Sequence, residues 1–236
     1  MTDIHCHILP GVDDGSEDFD ESCNMLHIAA SSGTECIVMT PHITVDEGHF
    51  DKKENLIAVF ERFYSEYCEE DIDIRFGAEN RFVSPLEDNV YPITLSGSRY
   101  LLTEFDFREN KKKMIEIVGS ITSRGYVPVI AHPERYLAVH HDYTLVYRLI
   151  ENGCLLQVNA GSMLGEFGKM PYEISNRLVS DRIAFCAASD SHGVYHRNPD
   201  MSEAYEHVYL NYSRHRAECM FYENPALIVE NKAVRT

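Results

Sequence analysis

The chain has 236 residues, 44% of them apolar and 25% charged, enough for a sizeable core in one large α/β domain or two small ones. Its 38 acids against 21 Lys and Arg give a formal charge of −17, which disfavours a surface that coats nucleic acid or anionic membranes, because phosphate binding relies on an excess of Lys and Arg. No apolar run reaches the length of a membrane span and no basic-then-apolar leader opens the chain, so a cytoplasmic protein with no direct membrane insertion is expected.

In chain order the β-rich runs are DIHCHI (3–8), ECIVMT (35–40), DIRFGAE (73–79), YLLTEF (100–105), VPVIA (127–131), LLQVNA (155–160) and IAFCAAS (183–189). Amphipathic stretches separate them, most plainly 52–70, where Leu56, Val59, Phe60, Phe63, Tyr64 and Tyr67 recur at helical spacing and predict a face packed on the core. Short strands alternating with helices predict parallel pairing through crossovers, in an open doubly wound sheet or a closed barrel. Neither GxGxxG nor GxxxxGKS/T occurs, and without those phosphate-cradling turns the expectation tilts to a barrel, formed as one domain over 1–236. Cys6, Cys23, Cys36, Cys68, Cys154, Cys186 and Cys219 stand singly, which predicts reduced thiols rather than disulfides or a thiolate zinc site.

Candidate metal ligands collect at one end of these runs. His5 and His7 end the first, with Asp14 in the loop beyond it. His42 follows the second, Glu79 closes the third, and Glu104 ends the fourth. His132 lies just past the fifth, and Asp190 and His192 leave the seventh. In parallel α/β barrels the C-terminal rim of the strands is where catalytic residues gather. Four carboxylates and five imidazoles crowded together are costly unless neutralised. They are too many for one tetrahedral zinc and suit two or three ions of Mn, Fe or Zn type. Residues i and i+2 of a strand share a face, so His5 and His7 can reach one ion while Cys6 points away as a packing residue. Arg135, three residues after His132, and Arg197, five after His192, add guanidinium forks suited to phosphate oxygens, and divalent ions beside them point to phosphoryl transfer. Rival nucleophiles lack their motifs: no arginine stands six positions after any cysteine, and no GxSxG occurs. Of the other histidines, His140 and His141 are expected in a solvated loop, and His27, His49, His207 and His215 at the surface; His196 adjoins the candidate site and stays open.

Taken in order, DIHCHILPGVDDGS, TPH, GAE, LTEF, AHPERY, NAGSMLGEFGK and SDSH resemble the PHP superfamily (polymerase and histidinol phosphatase domain). Within it they are most similar to the bacterial manganese-dependent protein-tyrosine phosphatases of the CpsB/CapC type. The resemblance implies a distorted (β/α)7 barrel, TIM-like, with a three-metal site on the C-terminal rim. His5, His7, Glu104 and Asp190 would hold one ion, and Glu79 and His132 a second with Glu104 bridging. Asp14, His42 and His192 would hold the third, with Asp13 either behind the ligands or simply in the loop. The implied metal is Mn, with Fe, Zn, Co or Mg as alternatives. A metal-bridging hydroxide would attack phosphorus in line while Arg135 and Arg197 orient the phosphoryl oxygens. The implied substrate is phosphotyrosine on a partner bacterial tyrosine kinase that controls capsule or exopolysaccharide synthesis. A small-molecule phosphatase, such as one acting on histidinol phosphate, is the alternative. A silent docking module is a third reading, disfavoured by nine intact ligand positions, and the 52–70 helix is a candidate oligomer face. Three departures stand out: Asn80 replaces a hydrophobic residue, Asp106 replaces Pro, and Gly193 with Arg-Asn-Pro replaces Asn with Arg-Pro after SDSH, which bears on where Arg197 falls.

Overall fold

The computed structural model describes residues 1–45, 49–67 and 72–234, with the backbone alone at 49–51. Among them run the strands β1 (Thr2–Cys6), β2 (Cys36–Met39), β3 (His42–Val45), β4 (Asp73–Phe76), β5 (Glu79–Phe82), β6 (Tyr100–Glu104), β7 (Val127–Ala131), β8 (Leu155–Asn159) and β9 (Cys186–Ala188). All pair in parallel, in a sheet of order β1-β2-β4 and another of order β3-β5-β6-β7-β8-β9. Every residue of β1, β6 and β8 is buried, as in a parallel sheet covered on both faces.

Seven runs therefore become nine strands, because the third (73–79) breaks in two and β3 starts beyond the end of the second (35–40), where no strand was read. Pro41 has no N–H to extend the β2 ladder. Gly77 passes so close to its neighbours that a Cβ there would lie 3.1 Å from Val38 Cγ1 and 3.3 Å from Leu95 Cα. Across the breaks, Gly77 N donates to Met39 O (2.9 Å) and Glu79 N to Pro41 O (3.1 Å), and the ladder resumes with His42 opposite Glu79. Both residues thus open new strands, Glu79 where it was expected to close one and His42 where it was expected to follow one. The last run is shorter than expected, since only Cys186–Ala188 of 183–189 is strand, and Ala160 leaves β8 to start a short helix. Beyond β9 the chain returns to β1: Asp190 N donates to His5 O (2.8 Å), His7 N to Ser191 O (2.9 Å), and Cys6 bridges Ser191. The described ladders make two parallel sheets of a mixed α/β fold, not one continuous hydrogen-bonded ring.

Between the strands, Ile4, Val38, Tyr100, Leu102, Val129, Leu155, Cys186 and Ala188 fill an apolar interior. Alternation along β6, β8 and the end of β9 then carries polar residues (Glu104, Gln157, Asn159 and Asp190) above this floor. The β1 register slips between Asp3 and Cys6, which lets Ile4 join the floor although His5 and His7 belong to the site. Outside, helices cover the sheets by ordinary amphipathic packing. Phe19–Ser31, capped by Asp18, buries Met25, Leu26 and Ala29, and Lys111–Ser123, capped by Asn110, buries Met114, Ile117, Val118 and Ile121.

The predicted 52–70 helix is His49–Glu66; Cys68 and positions 69–70 lie outside the described residues. Leu56 and Phe63 are buried and Val59, Phe60 and Tyr67 partly so, but Tyr64 is 57% exposed. One step past Phe63, it turns off the packed stripe and stacks on Phe60 instead, with ring centroids 5.8 Å apart. Cys6, Cys36, Cys154, Cys186 and Cys219 are free thiols. Two expectations for histidines fail. His140 and His141 end the helix Leu137–His141, and His140 Nε2 donates to Glu134 O at 2.7 Å. His207 is half-buried against Asn176 Oδ1 at 2.7 Å, while His27 and His215 are exposed and the His49 side chain is outside the described set. No helix among the described residues is long and apolar enough to cross a membrane.

Candidate metal centre

The fold carries all nine predicted ligands to one mouth. Their donor atoms fall into four overlapping groups, each within 4.8 Å: His7, Asp14, His42 and His192; His5, His7 and Asp190; His5, Glu79 and His132; His42, Glu79 and Glu104. Glu104 lies with His42 and Glu79, and not with His5 and His7 as the resemblance implies. His5, His7, Glu79, His132 and Asp190 are almost wholly buried, whereas Asp14 is exposed.

Glu79 is the hub. Its Oε2 stands 2.8 Å from His42 Nδ1 and 3.4 Å from both His5 Nε2 and His7 Nε2, and its Oε1 is 2.9 Å from His132 Nε2. Although fully buried, Oε2 has no well-aligned hydrogen bond. A buried carboxylate oxygen facing several ring nitrogens without accepting from them is how donors look when they share a cation.

Hydrogen bonds behind the imidazoles decide which nitrogen is free. His7 Nδ1 donates to Asp13 Oδ2 (2.8 Å) and His192 Nδ1 to Asp190 O (3.0 Å), leaving each Nε2 to carry the lone pair. Asp13, the neighbour of Asp14, thus aims His7, and its Oδ2 also accepts from His42 N at 2.9 Å. His5 is set by a longer relay. Asp190 can only accept, so Asn159 Nδ2 donates to its Oδ2 (2.5 Å). Asn159 Oδ1 then accepts from Gln157 Nε2 (2.9 Å), and Gln157 Oε1 accepts from His5 Nδ1 (2.9 Å). The polarity of two buried amides fixes His5 Nε2 as the acceptor nitrogen. It faces His7 Nε2 at 3.2 Å and Asp190 Oδ1 at 3.4 Å. With both rings neutral, two facing lone pairs beside a carboxylate would repel unless a cation stood between them, and the spacing is close to what bonds of about 2.1 Å to one shared divalent ion require. The residues present fit a divalent metal.

Gln157 and Asn159 escaped the sequence reading, although the signal was there: in LLQVN their amides alternate with the apolar Leu156 and Val158 on the inward face of a buried strand. Gln157→Leu is expected to weaken divalent-metal binding about 10–100-fold, the usual effect of removing a partner that orients a ligand. Metal titration of the folded variant checks this, and an unchanged affinity would remove the relay's role.

The electrostatics of the metal-free protein carry the same signature. Burial opposes charge on His7, but Asp13 and Glu79 hold its pKa up at about 10. Burial would raise Asp13, yet His7 and the amides of His42 and Gly15 bring it to about 2. Burial, followed by repulsion from Glu79, pushes Glu104 up to about 7, while burial and the charge on His7 push His192 down to about 4. Neighbours pushed this far in opposite directions mark a site built around a charge of its own. Three of its residues also adopt the left-handed backbone region: His132 (φ 35°), Asp190 (φ 51°) and Arg197 (φ 51°).

A cavity of about 340 Å³ opens over these groups, walled by Arg81, Arg135 and Arg197 and by Phe107. Arg135 Nη1 and Arg197 Nη2 both reach Asp190 Oδ2, at 3.1 and 2.6 Å. Arg135 lies between the rings of Phe107 and Phe167, 4.6 and 4.8 Å from their centroids. Arg197 arrives despite the altered segment before it, and its Nε is buried without an acceptor. The other departures have structural roles. The Asn80 amide donates to Ala78 O, Ile93 O and Leu102 O, tying β5 to its surroundings, and Asp106 pairs with Arg81 at 2.8 Å on the cavity wall. Cys6, by contrast, is buried with Sγ on Val38 O, and burial raises its thiol pKa well above normal. His196 is exposed and belongs to none of the ligand groups.

The profile of the family described as "Capsular polysaccharide synthesis, CpsB/CapC" matches residues 1–230. The chain belongs to the CpsB/CapC family. It is 32% identical over 242 residues to the tyrosine-protein phosphatase YwqE of Bacillus subtilis, covering 99% of this chain and 93% of that one. It is 31% identical over 246 residues to the tyrosine-protein phosphatase CpsB of Streptococcus pneumoniae, covering 99% and 100%. A solved structure from a pair reported as YwqE and CpsB, "unique metal-dependent tyrosine phosphatases", superposes with a TM-score of 0.84 at 30% identity, over 100% of this chain and 96% of that one. Dihydropyrimidinase from Brevibacillus agri, 12% identical with a TM-score of 0.59 over 98% of this chain and 70% of its own, shares the fold alone. CpsB/CapC membership thus meets a site whose donors fit divalent ions.

Proposed function

We propose that this chain is a divalent-metal-dependent tyrosine-protein phosphatase. The observation that carries the reading is the convergence of nine candidate ligands and two arginines on one 340 Å³ cavity, in a chain about a third identical to tyrosine-protein phosphatases over almost its whole length. His5, His7, Asp14, His42, Glu79, Glu104, His132, Asp190 and His192 would hold two or three ions, with Mn the proposed metal. When bound, such ions supply Lewis acidity, neutralising phosphoryl charge and acidifying water.

The remaining chemistry belongs to the side chains. Arg135 and Arg197 bind the phosphoryl oxygens, and the Arg197 Nε without a protein acceptor is a donor ready for one. Asp190 Oδ2 and the two phenylalanine rings hold both guanidiniums in place, so little ordering remains on binding. Phe107, 38% exposed on the rim, offers a ring face to the tyrosyl group. A phosphotyrosine-bearing tyrosine kinase of a capsule or exopolysaccharide system is the proposed partner, met in the cytoplasm. We also infer one domain over 1–236, closed as a distorted (β/α)7 barrel; its support is that each broken run resumes in register and that the Cys6–Ser191 bridge returns the last run to the first.

The test compares a phosphotyrosine peptide with histidinol phosphate under added Mn. The expected kcat/KM favours the peptide by at least about tenfold, a difference of about 1.4 kcal/mol in transition-state binding. Preference for histidinol phosphate would replace this reading with a small-molecule phosphatase.

A further inference from the structure

At the opposite end of the strands lies a groove that the metal chemistry does not use. A polar cavity of about 370 Å³ is lined by Arg182, Arg216 and His215. An apolar one of about 320 Å³ runs along Leu155, Ile183 and Phe185, and Arg182 and Arg216 line both. Leu155 opens β8 and Phe185 directly precedes β9, so the groove sits at the N-terminal ends of these strands, about 13 Å of strand rise below Asn159.

What distinguishes the groove is two guanidiniums side by side with no acid for either, in a chain of charge −17. Elsewhere Arg62, Arg75, Arg81, Arg177 and Arg214 each meet a carboxylate, and Arg99 and Arg124 are taken up by Asn231 and by the Glu87 and Val90 carbonyls. Among the described residues neither Arg182 nor Arg216 meets a carboxylate, and the acids near them in sequence are engaged elsewhere. Asp181 accepts from the Tyr143 and Tyr147 hydroxyls and faces Arg177, and Glu218 pairs with Arg214. Arg216 is pinned to the floor by a bond from Nη2 to Ala184 O, yet its Nε is buried with no acceptor. Burial, with the Arg182 guanidinium beside it and the Cys219 and Cys186 sulfurs opposing, lowers the Arg216 pKa from the ordinary arginine value, as expected of a positive pair that no carboxylate meets. Arg182 itself stands exposed after the helix Lys169–Ser180 at φ 63°, a left-handed position where glycine is the unstrained choice.

We propose that this groove binds a small phosphomonoester-type dianion with an apolar body, the head between Arg182 and Arg216 and the body along Leu155, Ile183 and Phe185. Guanidinium forks match phosphate oxygens in pairs, and a positive pair unmet by the protein is completed by a dianion. The apolar half distinguishes such a ligand from free phosphate, for which it would have no use.

Phenylphosphonate, which has no ester to hydrolyse, is the probe, titrated calorimetrically into the metal-loaded full chain. Two binding events are expected, one at the metal centre and one in the groove. Arg182→Gln should weaken the second at least about tenfold while leaving the inhibition constant against p-nitrophenyl phosphate hydrolysis unchanged. Methylphosphonate should bind the groove about tenfold more weakly than phenylphosphonate, for want of the body. Arg216→Gln is read together with its melting temperature, because Arg216 also holds the Ala184 carbonyl; if that variant unfolds, Arg182→Gln decides. A single binding event in the wild type, or a second one indifferent to Arg182→Gln, would overturn the proposal. Pelleting with phosphatidic-acid vesicles that depends on Arg182, without phenylphosphonate binding, would reassign the groove to a lipid headgroup and overturn the small-ligand assignment.

Discussion

Chelation is expected to abolish turnover of a phosphotyrosine peptide, by at least about a thousandfold, and added Mn to restore it, since several kcal/mol of transition-state charge stabilisation leave with the ions. Cys6→Ser measured alongside should retain most activity, because that thiol is buried on Val38 O, away from the mouth, and has its pKa raised well above normal. The restoration should depend on pH with a definite sign. In the metal-free protein Asp13 and Glu79 keep His7 protonated up to about 10, and that proton must leave before Nε2 can bind a cation. Metal uptake near neutral pH should therefore release protons, visible as a buffer-dependent heat, and the apparent affinity should rise by up to about tenfold per pH unit for each proton displaced, between about pH 6 and about pH 9. Affinity that falls as pH rises would contradict the tautomers derived for the site. Full activity after exhaustive chelation, lost on Cys6→Ser, would return the reaction to a thiol.

The residues that a strand must present were legible in the sequence, because the period of two is independent of what the strand pairs with. That periodicity placed His5 and His7 together and sent Cys6 to the packing side, where it is buried against Val38. The parallel pairing followed from strands alternating with helices, and the structure has it throughout. What failed was continuity. Pro41 stops β2 for want of an N–H, and a new strand starts just past it; Gly77 interrupts its run because of neighbours distant in sequence, Val38 and Leu95, so that run is a pair of strands. This matters to the site, since the breaks deliver His42 and Glu79 opposite one another at the start of new strands. The ligands were legible as residue types with a common end. Their orienting partners were legible only in outline, Gln157 and Asn159 as unread amides on one face of a buried strand and Asp13 as an acid behind the ligands or in their loop, because all three act through hydrogen bonds that only the fold assembles. Tyr64 shows the complementary limit: helical spacing identified the stripe but could not say where packing ends.

Glu79→Ala is expected to have the largest effect of any single substitution at the site, on both metal content and activity. Among the described residues no other carboxylate there faces four imidazoles: Oε2 stands within 3.4 Å of nitrogens on His5, His7 and His42, and Oε1 is 2.9 Å from His132. Truncation removes the negative charge shared by four imidazoles, and in the metal-free protein it leaves the buried His5 and His7 facing each other with less to hold a proton between them. Breaking a buried ion pair by deleting one partner costs about 3–5 kcal/mol, so the metal-free variant should melt at a clearly lower temperature than metal-free wild type. The metal-loaded variant should bind fewer ions per chain and turn over a phosphotyrosine peptide at least about a thousandfold more slowly. Glu79→Gln separates charge from shape: it keeps the volume and one oxygen acceptor but loses the negative charge, so it should fold nearly as wild type and still fail to hold the full metal complement. Gln at this position with full metal content and near-normal kcat would mean that the four histidines need the shape of Glu79 but not its charge. The cluster would then be a buried polar network, and the ions would have to be held by Asp14, Glu104 and Asp190 in its place.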